Sequence, residues 1–280
     1  MSRTVFAMTA AMVAISIVLA GLPVCATSWD AAADFSVTNN PNGVWKYGWQ
    51  TSYGSGLVLY NTTVSSGFGT SAWCKDGNVD LVGNVNRNMT TGPVDVSGMY
   101  WEPGQMCFHP GPDNQKAVVR WTAPRAAAIF ISARFSGQNY GAGTSTDVRV
   151  LKNNVTLYAG TINGFAGGGS HSAFGSSPER MFTTTVSVNA GDTIDFAVGY
   201  GSGGFSCDLT GIAATITEYS GATADAATIA EVKTLVPGTL VTITSDKVAS
   251  CSSYTYPDGS YYIQEPDRSS GIRVIQNAGL

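Results

Sequence analysis

Residues 181–200 read Met-Phe-Thr-Thr-Thr-Val-Ser-Val-Asn-Ala-Gly-Asp-Thr-Ile-Asp-Phe-Ala-Val-Gly-Tyr. Two runs, Met181 to Val188 and Thr193 to Tyr200, flank the turn-forming group Asn189-Ala190-Gly191-Asp192. In the second run Ile194, Phe196, Val198 and Tyr200 fall on alternate positions, the period of a strand with one buried face. Asp195 falls on the opposite face. Working backward, Thr146 to Leu151 and Val155 to Ala159 flank Asn153-Asn154, and asparagine tolerates the positive φ that a tight hairpin needs. In Ala128 to Phe135, Ile129, Ile131, Ala133 and Phe135 share one face. Working forward, a last strand is expected near Gly211 to Thr217. No helix of respectable length interrupts this pattern, so residues 34–219 are expected to form one antiparallel β-sandwich.

The composition agrees. The chain has 280 residues with 33 glycines and 12% charged residues, against roughly 25% charged in ordinary soluble domains. Lys and Arg number 15 against 19 Asp and Glu, a formal net charge of −4. A surface that neutralises phosphates needs clustered bases, so no nucleic-acid partner is expected.

After Arg3, Val5 to Val24 is apolar apart from Thr9 and Ser16, and it ends in Val24-Cys25-Ala26. This reads as a signal peptide over 1–26 followed by a linker over 27–33. The other reading is an uncleaved membrane anchor. Export places the chain outside the cell, in the periplasm or on the cell surface, with no membrane contact once the signal is removed. Four cysteines then remain, Cys74, Cys107, Cys207 and Cys251. Cys74 and Cys107, both in one irregular region, are the expected disulfide; the alternative is that all four are reduced and buried, since none has metal-ligand spacing.

Past a linker at 220–227 the period changes. Thr228 precedes Glu231 at capping-box spacing, and Ile229, Val232 and Val236 follow helical intervals until Pro237-Gly238. Thr239 to Val248, Tyr261 to Gln264 and Gly271 to Ile275 read as three strands. One helix and three strands over 228–280 make a small core, expected to be the truncated start of a second domain.

Several stretches carry a resemblance. Asp34-Phe35-Ser36 with Asn40-Pro41-Asn42-Gly43-Val44-Trp45-Lys46-Tyr47-Gly48-Trp49, then Phe108-His109-Pro110-Gly111-Pro112, Val119-Arg120-Trp121-Thr122-Ala123-Pro124 and Ala190 to Gly199 resemble a jelly-roll module. It is found in secreted bacterial proteins of planctomycete-like and related lineages and is akin to galactose-binding-like and carbohydrate-binding domains. Gly238 to Thr242 and Tyr261 to Val274 resemble the start of OB-like β-barrels in exported bacterial proteins. The resemblance implies an all-β chain, a jelly-roll sandwich followed by a partial OB-like barrel with one short helix. It also implies a carbohydrate ligand, and a structural calcium ion held by loop oxygens, for which Asp113 and Asp208 are the candidates.

A sugar site needs an aromatic platform beside a few fixed polar groups. Trp45, Tyr47 and Trp49 alternate, so a strand points all three toward either the core or a ligand. Trp101 lies in a Gly/Pro-rich stretch where loops are expected, and His109 precedes the turn at Pro110-Gly111-Pro112-Asp113. Tyr200, Phe205 and Asp208 belong to a glycine-rich run, Gly199 to Asp208, that lets backbone approach a ligand. The candidate ligand residues are therefore Tyr47, Trp49, Trp101, His109, Tyr200 and Phe205. A second glycine-rich run, Phe165 to His171, has no phosphate-loop signature. No nucleophile elbow or zinc-protease motif is present, and no enzyme is expected. The expected function is a non-catalytic exported module binding polysaccharide or a cell-surface glycan. The alternatives are a structural or adhesive spacer without small-molecule ligand, and an accessory domain of a larger polysaccharide-active enzyme.

Overall fold

The computed structural model describes residues 27–219, 223–235, 240–251 and 261–274. The expected signal peptide at 1–26 and the helix stop at Pro237-Gly238 lie outside the described residues. Two antiparallel sheets face each other. One has eight strands in the order Glu179–Val188, Ala127–Gly137, Thr210–Glu218, Met106–Pro110, Gly83–Asn88, Thr70–Cys74 and Thr62–Ser65, with Ser28–Asp30 added alongside Thr210–Glu218. The other has six, in the order Val155–Thr161, Asp147–Lys152, Thr193–Gly199, Lys116–Thr122, Trp45–Gln50 and Val58–Leu59.

Alternation places the core. Ile194, Phe196 and Val198 enter it from one strand and Val119 and Trp121 from the next, in register as Val119↔Phe196 and Trp121↔Ile194. Ile129, Ile131, Ala133 and Phe135 meet them from the larger sheet. Each large side chain buried in this way contributes about 1.5–3 kcal/mol relative to exposure. Asp195 faces outward from the same strand. It is nevertheless buried, with Arg120 Nε 2.5 Å from Oδ1, Arg120 Nη2 2.7 Å from Oδ2 and Gln50 Nε2 donating to Oδ2 at 3.1 Å.

The two asparagine-based turns form as their sequences require. Asn153 and Asn154 take φ of 48° and 69°, and Gly191 takes 88°. They are tied together, since Asn153 Nδ2 donates to Asp192 Oδ1 at 2.9 Å while Asp192 Oδ2 accepts the Asn189 amide at 2.9 Å. At the outer margins of the sheets, the Tyr158 and Phe182 rings stack 5.1 Å apart.

Three segments differ from expectation. Residues 27–33 are not a linker. Ser28–Asp30 pairs with Thr215–Thr217, Trp29 lies 5.2 Å from the Trp121 ring and Ala31 is buried, because Met106–Pro110 covers only Thr210–Ile212 and leaves the rest of that strand open to pairing. The expected linker at 220–227 contains the strand Thr223–Ala226, parallel to Leu240–Ile243. The single strand expected over 239–248 is two, Leu240–Ile243 and Val248–Cys251, and the latter begins a three-stranded antiparallel sheet with Tyr261–Gln264 and Gly271–Val274. The capping box forms as expected. Thr228 Oγ1 accepts the Glu231 amide at 3.1 Å and Glu231 Oε2 accepts the Thr228 amide at 2.9 Å, opening the one-turn helix Ile229–Val232. Among the described residues no helix is long and apolar enough to cross a membrane.

Candidate functional site

The larger sheet carries a second layer on its outer face. Asn84, Asn86 and Asn88 alternate outward along Gly83–Asn88 and are buried. Asn86 meets a hairpin, Val94–Val96 paired with Met99–Trp101, Asn88 Nδ2 donates to the Gly92 and Glu102 carbonyls that flank it, and Asn84 Nδ2 donates to the Val79 carbonyl. This corrects the reading of Trp101 as a loop residue open to ligand. It is 6% exposed, its Nε1 donates to Asn86 Oδ1 at 2.9 Å, and it packs with Val94, Cys107 and Leu209. Tyr47 is likewise in the core, its ring 5.0 Å from Phe35, and burial pushes its hydroxyl pKa far up. Trp49 is half-buried and packs against that core.

The expected disulfide is also corrected. Cys74 and Cys107 are both buried free thiols. Gly83–Asn88 lies between their strands, so at about 4.8 Å per strand their Cα atoms stand beyond the ~7 Å that a disulfide spans. Cys207 is free and exposed.

His109 and Phe205 do come together, edge to face at 6.0 Å. His109 Nδ1 lies 3.0 Å from the Pro110 carbonyl, and burial lowers its pKa, so the imidazole is neutral near pH 7. Tyr200 is half-buried, its amide donating to Asn114 Oδ1 at 3.3 Å. The two calcium candidates stand in different surroundings, Asp113 exposed and Asp208 buried. Asp113 accepts from Gln115 Nε2 at 3.3 Å, Asp208 commits one oxygen to Ser145, and no group of three or more His, Cys, Asp or Glu side chains gathers among the described residues.

A different constellation is assembled by three loops. The first is the tip of the covering hairpin, where Ser97 and Gly98 take φ of 53° and 80°. The second follows Ala127–Gly137; its Tyr140 and Gly141 amides both donate to the Gly98 carbonyl, at 2.7 and 3.0 Å. The third joins Asn163–Phe165 to Phe174–Ser177, with Gly168 and His171 exchanging backbone hydrogen bonds of 3.1 and 3.0 Å. It lies flat on the Tyr100 ring, and glycine is required there. A Cβ on Gly168 would stand 2.3 Å from Tyr100 Cε1, and one on Gly169 2.9 Å from Cε2.

At the junction Asp95 accepts two hydrogen bonds. Tyr140 Oη donates to Oδ1 at 2.8 Å, and His171 Nε2 donates to Oδ2 at 2.8 Å. These bonds, His171 first, hold the Asp95 carboxyl below the usual carboxylate range. The His171 and Tyr140 rings are stacked, 3.8 Å apart and 13° from parallel. Phe165 stands edge-on to Tyr140 at 5.8 Å, and beyond it lies Phe174, exposed at 45%. An exposed apolar ring, a half-buried tyrosine and a carboxylate with fixed orientation make a surface able to stack on a ligand ring and accept its hydrogen bonds. The sequence reading passed over Asp95 and Tyr140. The glycine run before His171 was the one visible signal, and nothing in the chain announces a partner 76 residues away.

No protein-family model matches the chain, nor does any curated protein. Among solved structures it is similar to the CBM51 of Clostridium perfringens GH95 in complex with methyl-galactose, at 8% identity and a TM-score of 0.32, covering 68% of this chain and 99% of that one. A family 35 carbohydrate-binding module from Clostridium thermocellum matches at 13% identity and a TM-score of 0.22, over 36% of this chain and 69% of that one. A family 35 module from an environmental isolate matches at 13% identity and 0.25, over 46% and 73%. These neighbours are carbohydrate-binding modules; likeness of this size assigns neither fold nor ligand.

Proposed function

We propose that this chain is a non-catalytic exported binding module that recognises carbohydrate, a polysaccharide or cell-surface glycan, at the Asp95–Tyr140–Phe174 surface. The observation that carries the reading is the convergence of three loops on one carboxylate flanked by rings, one of them exposed. A pyranose offers an apolar C–H face for Phe174 and Tyr140 and hydroxyls for Asp95. His109, Phe205 and Tyr200 form a second, smaller candidate surface. The binding unit comprises residues 28–219, Ser28–Asp30 included, and the segment after 223 is a separate OB-like unit. The setting is outside the cell, in the periplasm or on the cell surface, and the full protein is itself not an enzyme, or the accessory part of a polysaccharide-active one.

The test is retention on a glycan array and on insoluble polysaccharides, with Tyr140→Ala and Phe174→Ala beside the parent. Binding by the parent and at least tenfold weaker binding by both variants is expected. No retention on any glycan overturns the reading. That result would favour the second reading, a structural spacer, which the burial of Tyr47 and Trp101 supports.

A further inference from the structure

The imidazole of His171 sits inside a ring enclosure. Tyr140 stacks on one face at 3.8 Å, while Tyr100 and Phe165 stand edge-on at 6.3 and 6.4 Å, tilted 71° and 75°. Asp95 closes the enclosure, its Oδ2 2.8 Å from His171 Nε2. The Tyr140 face beside the Asp95 carboxylate is a setting that holds an organic cation. The remaining charge nearby is also negative: after burial, Glu102 and then Asp95 push the Tyr100 hydroxyl up by their charge.

The group that fills this enclosure arrives on a short loop. Gly167 and Gly169 take φ of 90° and 57°, and the loop is closed on itself by the Gly168–His171 bond pair. Without a Cβ, these glycines leave the left-handed region freely, so other backbone conformations are open to the loop.

We propose that His171 is a built-in occupant of a cation-accepting site, and that the glycan bound there carries a free amine, an amino sugar whose ammonium takes the place of the imidazole on Asp95. The inference rests on the glycan-binding reading above and names its ligand class. The sugar's C–H face then lies on Tyr140 where the imidazole now lies. A uronate would set a carboxylate against Asp95, and like charges at that range repel. An N-acetylated sugar lacks the cation.

The test measures binding of a glucosamine trimer, its fully N-acetylated counterpart and a galacturonate trimer to the full chain, to His171→Ala and to Asp95→Asn, at mildly acidic pH. The glucosamine trimer is expected to bind best. His171→Ala should tighten it at least fivefold while changing the N-acetylated trimer little, and Asp95→Asn should erase the preference between the two. In the unaltered chain, saturating glucosamine trimer should also shift the His171 ring resonances, a readout that needs no variant to fold. Unchanged or weaker glucosamine binding in a folded His171→Ala protein overturns the proposal, as do unmoved His171 resonances. Preference for galacturonate, or binding of other glycans with none to the glucosamine trimer, overturns the ligand class and leaves the glycan reading standing. Failure of every glycan overturns both.

Discussion

The Asp208 carboxylate accepts two hydrogen bonds from Ser145, one from its amide at 2.7 Å and one from its hydroxyl at 3.1 Å. Next to it, the Leu209 carbonyl accepts from the Gln138 amide at 3.0 Å and from Thr144 Oγ1 at 2.9 Å. Two adjacent residues thereby grip both ends of the loop that carries Tyr140, so the position of that ring depends on a buried acid well away from it.

The other oxygen of Asp208, Oδ2, is buried and has no partner among the described residues. Burial first, with the charge of Asp147 adding to it, pushes its pKa to about 6. This lies above the ordinary carboxylate value of about 3.9, so folding favours the acid form. That contribution is complete below about pH 4 and is lost as pH rises through about 6. Asp208→Asn keeps an oxygen for Ser145 and removes the charge. Thermal melts from about pH 4 to 8 should show the parent losing stability across this window and Asp208→Asn losing less. Parallel curves would clear Asp208 as the cause.

Removing Arg120 alone should be among the costliest single changes. Asp195 is fully buried, and its two oxygens take both guanidinium bonds. Arg120→Met leaves an uncompensated buried charge and is expected to cost about 3–5 kcal/mol in denaturant unfolding. The double variant Arg120→Met, Asp195→Leu should recover part of that loss; a double variant as unstable as the sum of the singles would count against the pair.

Gly168→Ala should dislodge the His171 loop without disturbing the sandwich. The added Cβ meets the Tyr100 ring at 2.3 Å, and that ring is itself buried and cannot step aside. Hydrogen exchange at the His171 amide, which is bonded to the Gly168 carbonyl, should speed up at least tenfold while the Val119 amide in the core is unchanged. Equal protection at His171 in both proteins would mean that the loop absorbs the methyl.

Thiol labelling of the native protein should separate the three cysteines whose side chains are described. Cys207 is exposed, whereas burial pushes the Cys74 and Cys107 thiols up, Cys107 the further. Alkylation followed by peptide mass spectrometry is expected to find Cys207 modified long before the others, which should react only on unfolding. A Cys74–Cys107 disulfide in the isolated protein would contradict the sheet order.

What was legible in the chain followed local rules. Ile194, Phe196 and Val198 declared their strand by alternation, Asn153-Asn154 and Asn189 to Asp192 declared their turns, and Thr228 with Glu231 declared a helix start. Trp101 was misread because its surroundings are rich in Gly and Pro, which mark a loop locally but say nothing about what the loop lies on. The deciding fact was that Asn84, Asn86 and Asn88 face away from the core and require cover, and this emerges only when strand order is known. Trp29 was missed for a related reason, since a three-residue strand is recognised by the gap it fills in Thr210–Glu218.

The bond between Asp95 and His171 also ties the site to the whole fold. Its two residues lie 76 positions apart, and the strands beneath them pair over separations as long or longer, Thr210 with Phe108 and Ser28 with Thr217 among them. The enclosure therefore exists only where the sheets have brought three distant loops to one place. A peptide copied from any one of the three loops would hold its residues and none of its recognition.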